Sequence, residues 1–263
     1  MKRLVIVLLG IIFICGCVVA QSSKNEIAYI EMVFVEGETF MMGCTSEQRD
    51  DCLDSEKPAH QITLKDFYIG KYEVTQAQWR EIMGTDIRQQ RDKVGEDWMI
   101  FGEGDNYPMY YVSWNEAQEF IKKLNFKTGK NYRLPTEAEW EFAARGGKQS
   151  RGYKYSGSNT IWESAWYLGN SNDMTHPVGM KKANELGIYD MSGNVSEWVS
   201  DWYGSYNSNA QTDPNGPTTG SFRVLRNGGW TDDGSRARAL YRFRSDPNSR
   251  DFDLGFRLAS SSE

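Results

Sequence analysis

The sequence has few of the residues that carry redox and metal chemistry. It contains four cysteines and two histidines, and no cysteine follows Cys52. The two histidines, His60 and His176, do not form the closely spaced set of a multi-histidine iron site, and we expect both to be ordinary surface or loop residues. No Gly-Lys-Ser/Thr phosphate loop occurs, and no serine lies in a nucleophile elbow beside a base. The best-marked catalytic motifs are therefore missing.

Charge of one sign and long apolar runs are also scarce. The formal net charge is −6, and acidic and basic residues are interspersed along the chain. Without a basic stripe the protein offers no path for a polyanion, so we do not expect nucleic acid as a partner. Apart from Leu4 to Ile14, no stretch is apolar enough to cross a bilayer.

The N-terminal residues resemble an export leader, which we place at residues 1–20. Met1-Lys2-Arg3 is positively charged and precedes the apolar run. Cleavage before Cys17 would leave a lipid-anchored cysteine, cleavage after Ala20 would leave a soluble protein that starts at Gln21, and an uncleaved anchor is the third alternative. Each alternative places the domain outside the cytoplasm. We expect a short polar tether at residues 21–30 and one globular domain at residues 31–263.

Cys44 and Cys52 are the cysteines that remain once the leader is removed. They flank a polar loop in a protein bound for an oxidising compartment, so we predict a disulfide between them. Two free thiols are the alternative. A redox-active pair is disfavoured, because no cluster of positive charge nearby would stabilise a thiolate.

Residue patterns predict a mixture of strands, helices and loops. Alternating apolar residues predict a β-hairpin, with strands at Val33 to Val35 and Phe40 to Met42. Three capping boxes predict helices that begin after Thr75, Ser113 and Thr136, and the first ends at Gly84. The rest of the chain is rich in loops and carries most of the 25 glycines and nine tryptophans. This pattern favours an α+β domain in which aromatic side chains bury ordered loops.

Six phrases of sequence resemble the formylglycine-generating (sulfatase-modifying factor) family, in that family's order. The longest is Arg133 to Gly147, and the others are Phe67 to Thr75, Val112 to Trp114, Tyr189 to Val195, Glu197-Trp198 and Leu254 to Leu258. The resemblance covers about Met32 to Ala259. It implies an α+β fold related to C-type lectins, with a small antiparallel sheet, flanking helices and extensive ordered loops. The simplest role of these residues is structural, with Arg133 and Arg257 pairing with buried carboxylates.

The resemblance also implies a structural calcium ion. The family's ligands are two side chains and two backbone carbonyls, which match Asp190, Gly193, Val195 and Glu197 here. Carboxylate and carbonyl oxygens are the ligands that calcium prefers. The alternative is a loop in which Asp190 and Glu197 accept backbone hydrogen bonds.

The chain departs from the family where the family carries its chemistry. Family enzymes use two cysteines, about five residues apart, to bind Cu(I) and oxidise a substrate cysteine to formylglycine. This chain has Thr231 or Asp232 at the first position and Arg236 or Ala237 at the second. Neither supplies the soft sulfur ligand that Cu(I) needs, so we expect no copper. The family's cleft tryptophan is Ser196 here, and its cleft serine falls at Gly229 or Trp230.

Alternating arginines follow this segment, at positions 236, 238, 242 and 244. We interpret them as one face of a strand or irregular ribbon that pairs with nearby acids, or else as a cleft that recognises a carboxylate, sulfate or sugar acid. Our candidates for a contact surface are Trp230, Asp232, Arg236, Arg238 and Ser196, with Trp230 and Arg236 expected to be exposed.

The sequence therefore predicts an exported binding or scaffold protein without catalytic residues. Its former catalytic cleft would contact an envelope protein or a glycan, and a lipid at Cys17 would be its sole membrane attachment. The alternative function is a formylglycine-generating oxidase, or a diverged oxidoreductase on the same fold.

Overall fold

A computed structural model describes residues 30–48, 51–95 and 97–262. The expected leader, most of the tether and the lipidation site Cys17 lie outside these residues. Within the described ranges, no helix combines the length and the apolar character needed to cross a bilayer.

In the described part of the chain, the fold combines eleven short strands with five α-helices. The strands are β1 (Met32–Val35), β2 (Thr39–Met42), β3 (His60–Thr63), β4 (Phe67–Gly70), β5 (Tyr132–Arg133), β6 (Ser196–Trp202), β7 (Gln211–Thr212), β8 (Arg223–Arg226), β9 (Arg242–Ser245), β10 (Leu254–Phe256) and β11 (Ala259–Ser261). The helices are α1 (Gln76–Met83), α2 (Ile87–Asp92), α3 (Trp114–Thr128), α4 (Glu137–Ala144) and α5 (Ile161–Ser164). The α+β class expected from the sequence is confirmed.

The strands form three small sheets rather than one. Their orders are β1-β4-β11-β5, β10-β6-β8-β9 and β2-β3-β7. Most neighbours are antiparallel, as expected, but β10 runs parallel to β6 and β7 runs parallel to β3.

The sheet β10-β6-β8-β9 separates two hydrophobic cores. Successive side chains of a strand point to opposite faces. Trp198 of β6 therefore packs into a core with α1 and α3, whereas its neighbour Val199 packs into a core with α4. Trp79 of α1 stacks on Phe120 of α3 in the first core, with ring centroids 5.6 Å apart. The middle of β6 is therefore held by both cores.

The three helices expected from capping boxes are confirmed. Thr75, Ser113 and Thr136 each accept a hydrogen bond from the backbone N–H three residues on, and Gly84 ends α1 in the left-handed conformation. A fourth capping box, formed by Asp86 and Gln89, starts α2 and was missed in the sequence.

The predicted hairpin is wrong. β1 pairs with β4, and β2 pairs with β3, so the two segments belong to different sheets. Gly37 between them packs so closely on the chain that a Cβ there would lie 2.2 Å from the Leu64 carbonyl oxygen, and its N–H donates to Asp66. These contacts separate the two strands.

The predicted disulfide is confirmed. Cys44 and Cys52 are bonded, with their Cα atoms 5.8 Å apart. The bond closes the loop between β2 and the turn at Asp54 to Glu56.

Removing this disulfide should destabilise the domain moderately. The double variant Cys44→Ser/Cys52→Ser should lose about 2–3 kcal/mol of unfolding free energy, because the loop closed by the bond is short. Urea unfolding of the variant and of the oxidised protein measures this difference. Equal stabilities, or two free thiols in the unreduced protein, would contradict the pairing.

Candidate functional site

Trp230 belongs to the aromatic core and not to an open surface. Its side chain is 3% exposed, and its ring lies 4.8 Å from Phe101 and 5.7 Å from Phe252, measured between centroids. Its indole N–H donates to the Phe252 carbonyl oxygen at 3.3 Å. The expectation that Trp230 is exposed is therefore wrong, because these two rings cover it.

Oxygen-bearing side chains surround the positions where the family has its thiols. Thr231 Oγ1 lies 3.2 Å from Asp253 Oδ2, and Asp232 accepts hydrogen bonds from the Gly229 N–H and from Arg236. Burial, together with the charges of Asp251 and Asp232, raises the pKa of Asp253 to about 7. The segment is rich in oxygen and has no sulfur ligand.

Ser196 lies beside this group. It begins β6, and its N–H donates to the Asp253 carbonyl oxygen at 2.7 Å. Arg236 remains half exposed, whereas its partner Asp232 is mostly covered. The structure thus brings Ser196, Asp232 and Arg236 into one neighbourhood.

The alternating arginines pair with acids, as expected for Arg236, Arg238 and Arg242, but the four do not lie on one ribbon. Arg242 and Arg244 share a face of β9 and both stack on Tyr203, whereas Arg236 and Arg238 precede the strand. Arg238 and Arg242 are 1% and 3% exposed. Arg238 forms a two-pronged ion pair with Glu56, and Arg242 forms one with Glu137. The chain turns repeatedly before β9, so sequence alternation does not become strand alternation here. Arg238 is consequently unavailable as a contact residue.

Helix α4 supplies the buried carboxylates that pair with Arg226 and Arg242. Its eight residues are all buried, and Glu137 and Glu141 both accept from Arg226, which is itself fully buried. Removing one partner of such a buried pair leaves an uncompensated charge, which is strongly destabilising. These contacts fix the segment between β8 and β9 against α4.

Asp201, a residue of β6, contacts the N-terminus of the same helix. Its Oδ2 accepts from the Glu137 N–H at 2.9 Å and from the Ser200 hydroxyl at 2.9 Å. Burial and the charge of Glu137 raise the pKa of Asp201 to about 7.

The loop expected to bind calcium is filled by a side chain. Asn227 Nδ2 donates to the carbonyl oxygens of Gly193 at 2.6 Å and Val195 at 3.0 Å. It also lies 3.0 Å from the carbonyl oxygen of Asp190. The two carbonyl groups proposed as calcium ligands are thus already engaged.

The two carboxylates of this loop are engaged as well. Both oxygens of Glu197 accept from Arg257, at 2.7 and 2.6 Å, and Trp140 donates to Glu197 Oε2 at 2.7 Å. Asp190 Oδ2 accepts from the Gly179 N–H, which leaves Asp190 Oδ1 as a buried oxygen without a partner. Calcium requires six to eight oxygens, so one free oxygen does not fit the ion. Among the described residues, no group of three or more His, Cys, Asp or Glu side chains is arranged to hold a metal.

The buried carboxylates of Glu73 and Asp190 lie close together at this loop, and their pKa values are raised. Burial and the charges of Asp190 and Glu197 raise the pKa of Glu73 well above its ordinary value, and burial raises the pKa of Asp190 to about 6. Glu73 accepts hydrogen bonds from Asn194 and from the Val195 N–H. Arg257 supplies the compensating positive charge, which confirms that it pairs with a buried carboxylate, as Arg133 does with Glu139.

The histidines have separate structural roles. His60 is 3% exposed, and its ring contacts Tyr206 at 4.7 Å between centroids, so the surface assignment is wrong for this residue. His176 is half-buried in a loop and stacks on Trp166 at 3.7 Å.

A polar cleft of about 540 Å³ opens near the far end of β6. It is lined by residues that include Trp114, Gln118, Arg133, Ser200 and Arg223. Ser200 lies four residues beyond Ser196, which separates the two neighbourhoods by roughly 13 Å along the strand.

Arg223 lines this cleft and is sandwiched between two indole rings. Its guanidinium carbon lies 3.8 Å from the Trp114 ring centroid and 3.5 Å from that of Trp202, so two indoles enclose it. One amino group donates to the Ser200 carbonyl oxygen at 2.7 Å, and the buried Nε has no partner among the residues described. Stacking between indoles holds an arginine in one orientation while its remaining donors stay available.

Comparison with known proteins identifies the family. The model of the Sulfatase-modifying factor enzyme 1-like domain matches residues 18–262. The chain belongs to this family.

Relatives with different names match the chain over most of its length. The chaperone protein LppX of Paenibacillus barcinonensis is 34% identical over 99% of this chain and 100% of that protein. The formylglycine-generating enzyme of Mus musculus is 29% identical over 91% of this chain and 77% of its own length. The solved structure of Treponema denticola variable protein 1 has a TM-score of 0.76 at 30% identity, covering 88% of this chain and 95% of that one. The fold expected from the six phrases is confirmed.

Two features were missed by sequence reasoning. An Asn-Gly pair, as at Asn227-Gly228, is a signal for left-handed backbone, which could have marked Asn227 as structurally special. The enclosure of Arg223 had no such signal, because Trp114 and Trp202 are distant in sequence and meet through packing alone.

The raised pKa of Asp201 predicts a pH dependence of stability. The folded state keeps the Asp201 proton up to about pH 7, whereas an unfolded aspartate loses it near pH 4. The unfolding free energy should therefore fall as pH rises from about 4 to about 7, with Asp201 contributing up to about 1.4 kcal/mol per pH unit.

The variant Asp201→Asn should flatten this slope, because an amide accepts the same hydrogen bonds without titrating. Urea unfolding at a series of pH values measures it, with Asp97→Asn on the exposed surface as the control. An unchanged slope in Asp201→Asn would contradict the assignment.

Proposed function

We propose that the protein is an exported binding or scaffold protein that does not oxidise cysteine, and that it contacts a protein or glycan of the cell envelope. The family includes enzymes that form formylglycine with a pair of thiolates. A fold of this kind hosts different functions, so the site decides between them.

The observation that carries this proposal is the chemistry of the segment from Thr231 to Ala237. Hydroxyl, carboxylate and guanidinium groups stand where the family's two thiols are required. The domain's own cysteines, Cys44 and Cys52, are joined to each other. A carboxylate or an arginine cannot replace a thiolate as a soft ligand or as a redox group.

Two further points support a binding role. A relative matched along its full length is named a chaperone protein, which is a role carried out by binding. The leader-like N-terminus supports export to the envelope, with Cys17 as the candidate lipid attachment site.

We place the contact at the cleft that contains Arg223, and this revises the expectation from the sequence. Trp230 and Arg238 are buried and cannot reach a partner without unfolding part of the core. The cleft near Arg223 offers aromatic faces and guanidinium donors together, a combination that suits both peptide and sugar ligands.

A direct assay separates this proposal from the oxidase alternative. The protein, incubated with Cu(I), oxygen and a cysteine-containing sulfatase peptide, should leave the peptide mass unchanged, because no thiol pair is present to bind copper. A formylglycine-generating enzyme serves as the positive control. Formation of formylglycine by this protein would refute the non-catalytic proposal.

Site-specific crosslinking tests the location of the contact. A photoreactive residue at Gln118, which lines the cleft, should crosslink to an envelope component in cells. The matched control is Phe126 on the same helix, whose side chain is 93% exposed and lies outside this cleft. Crosslinks from position 126 with none from position 118 would contradict the assignment of the cleft.

A further inference from the structure

We propose that the Asn227 carboxamide takes the place of the family's calcium ion, so that this chain orders its Asp190 to Val195 turn without a divalent cation. The proposal concerns the stability of the fold. It is independent of the proposed binding function.

Three carbonyl oxygens converge on one nitrogen. Asn227 Nδ2 lies 2.6 Å from Gly193 O, 3.0 Å from Val195 O and 3.0 Å from Asp190 O. Carbonyl oxygens that point at one place create a negative potential there, which must be offset by a cation or by N–H donors. The amide group supplies such donors from within the chain.

The orientation of the amide is fixed by its surroundings. Asn227 Oδ1 accepts from the Gly193 N–H at 2.7 Å and from the Gly228 N–H at 3.0 Å. Reversing the amide would place its oxygen against three carbonyl oxygens and its NH₂ group against two N–H donors. The hydrogen-bond network therefore assigns the donor face to the turn.

The backbone of Asn227 explains why an asparagine can stand here. Its φ is 65°, in the left-handed region that asparagine adopts more readily than most other residues. Asp190 and Asn194 on the facing loop are also left-handed, with φ of 56° and 68°. Such conformations persist where surrounding contacts hold them, and Asn227 makes those contacts to both ends of the turn.

The backbone at Trp166 packs directly against the Asp190 to Val195 turn. A Cβ at Gly193 would lie 2.2 Å from the Trp166 carbonyl oxygen, so the turn cannot move outward on that side. The carboxylate of Glu197 is bound to Arg257, which supplies the positive charge that an ion would otherwise bring. The carbonyl oxygens of the turn and the carboxylate of Glu197 therefore have donors from within the chain, and Asp190 Oδ1 is the buried oxygen that lacks one.

The experiment compares the protein with Asn227→Gly. Glycine accepts the left-handed φ, removes the amide and leaves the three carbonyl oxygens free. The unmodified protein should melt at the same temperature in EDTA and in excess calcium chloride. Asn227→Gly should melt several degrees lower in EDTA, and calcium should restore part of that loss. Asn215→Gly, on an exposed loop, is the control and should show no response to calcium.

Titration calorimetry of the unmodified, chelator-treated protein with calcium gives a second measurement that does not depend on the variant folding. It should detect no binding at the turn. The proposal is overturned if the unmodified protein loses thermal stability in EDTA, if it binds calcium in a manner that Asp190→Asn abolishes, or if calcium leaves folded Asn227→Gly unchanged.

Discussion

The buried ion pair between Arg257 and Glu197 joins two of the sheets and the loop that precedes β6. Arg257 holds both oxygens of Glu197 in β6, and it also donates to the carbonyl oxygens of Gly70 in β4 and Tyr189 in the adjoining loop. The side chains of Arg257 and Glu197 are fully buried. An unpaired charge in such a buried position would cost several kcal/mol. Two sheets and one loop therefore share a single guanidinium. The carbonyl oxygens of the neighbouring Asp190 to Val195 turn receive their hydrogen bonds from Asn227 instead.

Most buried polar groups of the turn and of the segment from Thr231 to Ala237 find partners within the chain. Asn227 provides N–H donors for the turn, and Thr231 lies within hydrogen-bond distance of Asp253. Such pairing satisfies buried polar groups without a metal ion, which is the basis of our proposal that this chain does not use the family's metal chemistry. The buried arginines 226, 238 and 242 follow the same rule, each paired with a glutamate from another segment.

Sequence reasoning was strongest where the physical cause is local. The hydroxyls of Thr75, Ser113 and Thr136 marked helix starts because a cap acts within three residues. It failed for the pairing of β1 and for the exposure of Trp230, since both depend on contacts with residues distant in sequence. The sequence shows that no cysteine follows Cys52, and the proposal of a non-catalytic site rests on that fact. The location of the cleft could not be predicted, because it depends on the packing of Trp114 and Trp202 around Arg223.

The account rests on one claim, that this member of the family has exchanged both metal centres for its own side chains. Elemental analysis of the full-length protein, purified without chelators from a medium containing calcium and copper, tests that claim most directly. The account predicts that neither metal is present in a stoichiometric amount. Stoichiometric calcium or copper in the folded protein would contradict it.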